Sequence, residues 1–141
     1  MTPVELVEIL RRHDRFVKGK PGGARADLRG ADLSGLRLPE INLHGASLAG
    51  SSFRKSEVKE ADFSTADLYG ANFEHADATA ANFERADLSG ARVQFVKMET
   101  VEILDAANKP TGRSARTILK GARLDGTEFS GTNTSEAVVD D

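Results

Sequence analysis

From Ala26 onward an apolar residue recurs at every fifth position. Read in fives, the chain runs ADLRG ADLSG LRLPE INLHG ASLAG SSFRK SEVKE ADFST ADLYG ANFEH ADATA ANFER ADLSG ARVQF VKMET VEILD, ending at Asp105. All sixteen central positions are apolar and eleven are Leu or Phe, where random placement at the chain's 39% apolar content gives about six. Ala or Ser fills the first position in twelve of the sixteen blocks. A period of five fits neither an α-helix, at about 3.6, nor a flat strand, at about 2. It fits a chain that turns a corner every five residues. The central side chain then points inward beside a small first residue, and the other three positions face out. Gly at 30, 50, 70 and 90 marks one fifth position every 20 residues, which implies four sides per turn.

Tandem A-D/N-L/F-X-G blocks of this kind resemble the pentapeptide-repeat family over residues 26–105. The resemblance implies an all-β fold, a right-handed quadrilateral β-helix (solenoid) of about five coils with an N-terminal capping α-helix. Its coils would stack about 4.8 Å apart. Taking every twentieth residue sorts the inward positions onto four faces. The first holds Leu28, Leu48, Leu68 and Leu88, and the second Leu33, Phe53, Phe73 and Val93. The third holds Leu38, Val58, Ala78 and Met98, and the fourth Leu43, Phe63, Phe83 and Ile103. Ala78 interrupts the large residues in the turn that contains Phe73 and Phe83. Overfilling a core costs about 1–3 kcal/mol, so Ala78 reads as steric compensation for those two rings rather than as a ligand cavity.

A solenoid has apolar ends and open strand edges that need covering. In TPVELVEILRRHDRFVKGKPGG, Thr2, Pro3 and Glu5 are start signals for a helix over about residues 3–17. Leu6, Leu10 and Val17, with Val7 and Phe16 nearby, form its apolar stripe. A cap is the favoured reading and a dimerisation helix the weaker one. The expected divisions are a helical cap and Gly/Pro turn at 1–23, four coils at 24–105, an interruption at 106–116, and a final coil with its C-terminal cap at 117–141. In AANKPTGRSAR, Pro110 to Gly112 marks the turn, and the flanking VEIL and RTIL suggest a short hairpin or bulge. Val138 and Val139, in SEAVVDD, are expected to cover the last coil, and Phe95 to be covered by the 106–116 excursion.

Candidate chemistry is sparse. The 141 residues include no cysteine, so thiol catalysis and disulfides are excluded. On the inferred coil His44 and His75 fall on opposite faces and His13 on the cap helix, so no metal trio or catalytic triad assembles. Asp27, Asp32, Asp62, Asp67, Asp77 and Asp87 occupy second positions, where turn chemistry accounts for them. No enzyme activity and no cofactor are predicted. A net charge of −3 predicts no direct nucleic-acid binding. No apolar run reaches the roughly 18 residues of a membrane span. The order of acids before bases at the N-terminus is the reverse of a signal peptide, which points to the cytoplasm.

The functional expectation is therefore a protein-binding scaffold that uses its flat faces or the 106–116 loop. The candidate contact residues are Tyr69, on the glycine-column face, and Lys109, Pro110, Arg113 and Arg116, in a loop stretch with no acid. The partner is another protein or a second copy of this chain. The competing reading comes from the resemblance, because some pentapeptide-repeat proteins mimic duplex DNA and bind type II topoisomerases such as DNA gyrase. Here 14 acids against 8 bases over residues 26–105 leave six net charges along about 19 Å. Duplex DNA carries one charge per about 1.7 Å, and the acids are spread over all four faces, so the mimic is the weaker reading.

Overall fold

The computed structural model describes residues 1–139; Asp140 and Asp141 lie outside the described residues. Second-position residues pair in parallel with the residue 20 positions on: Asp27 with Ser47, Ser47 with Asp67, Asp67 with Asp87, and similarly on the other faces. Each rung is closed by backbone bonds in both directions, as where Leu28 N–H donates to Ser47 O and Ser47 N–H to Ala26 O. No helix among the described residues is long and apolar enough to cross a membrane.

The corners are built from the second and fifth positions. The Oδ1 atoms of Asp27, Asp32, Asp62, Asp67, Asp77 and Asp87 each accept the N–H of the residue two further on. These are Asx turns, so the recurring carboxylates have a local structural use. At Asp27 the Arg29 guanidinium, helped by the Arg29 N–H, holds the carboxyl at about 2. The fifth position adopts a positive φ, at Gly70 and equally at Lys55, His75, Ala80 and Phe95. Glycine is the residue for which this conformation carries no steric penalty.

The bore is filled by two stacked aromatic columns. Phe53 stacks on Phe73 at 4.9 Å, and Phe63 on Phe83 at 5.1 Å. The columns meet edge to face, with Phe73 and Phe83 5.5 Å apart. Ala78 is fully buried in the turn those two rings share.

The expected phase fails one block earlier than the sequence suggests. Rung spacing rises from 20 to 36 at Asn82–Ile118, Asp87–Arg123 and Arg92–Glu128, then returns to 20 at Ile118–Val138. The excess is sixteen residues, 101–116. Ile103 is therefore not inward but 41% exposed, and Leu119, 3% exposed, occupies the fourth face after Phe83. Residues 101–105 imitate a repeat because Ile103 is apolar at the expected place, while backbone pairing carries the coil directly from Thr100 to Thr117. The final turn is less covered than those before it, with Leu124 at 36% and Val139 at 52% exposed.

Helix α1 (Pro3–Val17) starts with Thr2 Oγ1 accepting the Glu5 N–H at 3.1 Å. Leu6 joins the core, and Ile9 and Leu10 pack against it, whereas Val7 and Phe16 are about half exposed and lie off the buried stripe. The tie to the solenoid is His13, which is fully buried. Its Nδ1 accepts the Ala26 N–H at 2.9 Å, which leaves the proton on Nε2 to reach His44 O at 2.8 Å. Gly23 is required beside it, because a Cβ there would fall 2.5 Å from the Phe16 backbone nitrogen.

Two outcomes follow for stability. Ala78→Leu should destabilise the protein by about 1–3 kcal/mol in a urea titration, by overpacking against Phe73 and Phe83. Burial holds His13 below its usual value of 6.5, against the opposing influence of its bond to His44 O. The fold thus binds the neutral ring, and the linked stability is complete above pH about 6.5 and lost as pH falls through the lower folded value. In urea midpoints measured from pH 7 to 5, His13→Gln should flatten that part of the slope.

Candidate protein-contact site

Residues 101–116 leave the coil as an antiparallel ribbon, β1 (Val101–Leu104) and β2 (Pro110–Ala115). Val101 pairs with Ala115, Glu102 with Ser114, and Ile103 with Arg113, and an irregularity follows before Leu104 meets Pro110. The chain reverses at Asp105–Lys109 rather than at Pro110–Gly112, which lies within β2. Asp105 decides this. Its Oδ1 accepts the N–H groups of Ala107 and Lys109, both at 2.9 Å, and its carbonyl accepts the Asn108 N–H. Asn108 takes the positive φ that such a loop needs, and asparagine tolerates it well. Thr111 Oγ1 then bonds Ile103 O at 2.6 Å and bridges the irregular stretch. The second strand is thus not RTIL, whose Thr117 to Leu119 have already rejoined the coil.

Every residue from Glu102 to Ser114 is exposed. Lys109, Pro110, Arg113 and Arg116 are brought together on this ribbon and its return, all exposed to solvent. Among the described residues none of these three cations takes part in an ion pair. The excursion therefore stands in solvent, with no ion pair from these cations to the coils of its own chain among the described residues. Ile103 and Leu104, at 41% and 45% exposure, add an apolar component that the sequence pattern hid by assigning Ile103 to the core. Phe95 is not covered by the ribbon either. It is 56% exposed, stacked on His75 at 5.1 Å and set against Gly131.

Tyr69 is not part of this cluster. It stands 60% exposed on the first face, between Ala49 and Ser89, while the ribbon leaves from the junction of the third and fourth faces. The acids fall on all four faces, as expected, but in unequal numbers. Six of them, Glu40, Glu57, Glu60, Asp77, Glu99 and Glu136, face three bases on the third face. The first face carries four against two, and among the described residues the second and fourth are balanced. The ribbon thus emerges beside the face with the largest acidic excess.

A family model for pentapeptide repeats matches residues 26–64 and 66–101, with eight copies. The chain belongs to the pentapeptide-repeat family. Pentapeptide-repeat proteins are right-handed quadrilateral β-helices, which agrees with the 20-residue rungs. Comparison with curated proteins finds no match. Among solved structures, a pentapeptide-repeat protein from the Arabidopsis thaliana thylakoid lumen is 26% identical with a TM-score of 0.49, over 79% of this chain and 63% of that one. Rfr23, a pentapeptide-repeat protein from the cyanobacterium Cyanothece 51142, is 24% identical with a TM-score of 0.34, over 83% and 66%. QnrB1, a plasmid-mediated fluoroquinolone resistance protein, is 16% identical with a TM-score of 0.49, over 82% and 75%. The chain thus spans just under two thirds of the length of the first two.

In this pentapeptide-repeat chain the reversal of the ribbon rests on the Asp105 carboxylate. Asp105→Ala should fray it, seen as faster proteolysis between residues 105 and 113, while the unfolding midpoint of the solenoid stays within about 0.5 kcal/mol of the parent.

Proposed function

We propose that the chain is a non-enzymatic protein-binding scaffold, a five-coil solenoid capped by α1 that presents the 101–116 ribbon to a partner. The observation that carries this reading is the ribbon itself. It exposes two aliphatic side chains and three cations that have no ion-pair partner among the described residues, at a place where the coil needs no inserted residues. Protruding loops on rigid frames are the usual carriers of binding, because the frame fixes their position at little entropic cost. Tyr69 offers a second, smaller surface on the opposite side, an aromatic of the kind favoured at interfaces.

The concentration of acids on two opposite faces favours one further reading, a mimic of duplex DNA directed at a type II topoisomerase such as DNA gyrase. The two readings separate cleanly because the insert has a natural deletion. Removing residues 101–116 joins Thr100 to Thr117 and restores the 20-residue spacing between Asn82 and Ile118. The deleted protein should fold and unfold like the parent but lose its partner in a pull-down. Retention of the partner would move the contact to the faces. A DNA mimic would instead inhibit gyrase supercoiling, or relieve quinolone inhibition, with or without the ribbon.

A further inference from the structure

A second exposed apolar feature lies at the end opposite the ribbon, between α1 and the corner where the second and third faces of the first turn meet. Met1, Leu6 and Val7 of the α1 end and Leu33, Leu36 and Leu38 of the first turn line a cleft of about 290 Å³. Leu36 occupies a first position, where Ala or Ser stands in twelve of sixteen blocks, and it is 38% exposed. A large aliphatic residue has replaced a small one without gaining full burial. Val7 is likewise 53% exposed, so α1 covers the end of the first turn only on the side of Leu6 and His13.

The apolar cleft suits the ribbon's exposed aliphatic pair, and the acidic excess of the third face suits its cations. The ribbon is convex and offers Ile103 and Leu104, with Arg113 opposite Ile103 and Lys109 close by. The cleft is concave and largely apolar; its charged lining is Asp32 and Arg37, the latter paired with Glu57 at 3.2 Å, and Glu40 stands at the corner that follows Leu38. Asp32 stays ionised, since the Ser34 hydroxyl at 2.5 Å and the Ser34 N–H lower its pKa. Within one chain the two features are separated by the rungs Arg37, Glu57, Asp77 and Lys97, three spacings or about 14 Å along the axis.

We propose that the ribbon of one chain seats in the α1–Leu36 cleft of a second copy, in a two-fold arrangement of antiparallel solenoids joined along their third faces. Antiparallel packing sets the fourth turn of each chain beside the first turn of the other, so both ribbons and both clefts are used at once. A contact of this type closes on itself, whereas parallel stacking would leave one ribbon and one cleft free and propagate. The ribbon cations then lie over the acidic third face of the partner, where Glu60 has no ion-pair partner among the described residues. This proposal rests on the ribbon being a contact surface, as argued above, and names a second copy as its occupant.

The absence of cysteine in the chain allows a direct test. Leu36→Cys and Leu104→Cys proteins, mixed and mildly oxidised, should give a covalent dimer, and each alone should give far less. Sedimentation at about 100 μM should show a dimer for the parent and a monomer after deletion of 101–116, with Leu36→Glu weakening the dimer roughly tenfold or more. Efficient cross-linking of Leu104→Cys alone would mean ribbon-to-ribbon pairing and overturn the proposal. So would a parent that remains monomeric at that concentration, or a Leu36→Glu protein that dimerises normally while its unfolding midpoint is unchanged. A monomeric parent that still captures a different protein through the ribbon would end this inference and leave the scaffold reading standing.

Discussion

A side-chain oxygen at the second position of a block accepts the backbone N–H two residues later, and the chain turns. That local bond, repeated from Asp27 to Asn133, sets the five-residue side on which the rest of the structure depends. It brings the fifth residue into a positive-φ corner and aims the central side chain at the axis. Four such sides return the backbone to its starting point one strand spacing higher, where the rung bonds form. The turn bonds are short-range and individually modest. The rungs make them cooperative, because each coil is held by the coils above and below.

A square bore closed this tightly leaves little freedom in its filling. Two Phe columns stacked at about 5 Å and meeting edge to face occupy the middle turns, and the remaining sides must shrink around them. Val58 and Ala78 are that adjustment. The same narrowness limits the core to one layer of side chains, so the ends matter more than in a globular domain. At the N-terminal end a buried imidazole between two backbone groups ties α1 to the start and the end of the first turn by hydrogen bonds as well as by apolar contact.

Much of this was legible in the residues. The period, the four columns, the Asx role of the aspartates and the start of α1 all follow from local chemistry repeated many times. What was illegible involved single occurrences. Nothing local separates VEILD from a true repeat, since Ile103 satisfies the pattern and only the path of the backbone shows that the fourth face is continued by Leu119. Pro110–Gly112 and Asp105–Asn108 are both plausible turns, and the choice rests on the bonds made by one carboxylate. His13 bonds to backbone atoms 13 and 31 residues away, which leaves no mark in composition or spacing. The candidate cations were found as a run without acids. The aliphatic half of the same surface was lost because apolar residues in phase were assigned inward.

The rung spacing of 20, then 36, then 20 again has a consequence for how such a chain can vary. A segment that departs and returns at one corner is topologically silent, because the coil before it and the coil after it register with each other and not with the insert. Each corner is thus a port, at which length and chemistry can be exchanged without renegotiating the frame. The solenoid separates the specification of shape from the specification of contact, and the two need share no residues beyond the pair that flanks the opening.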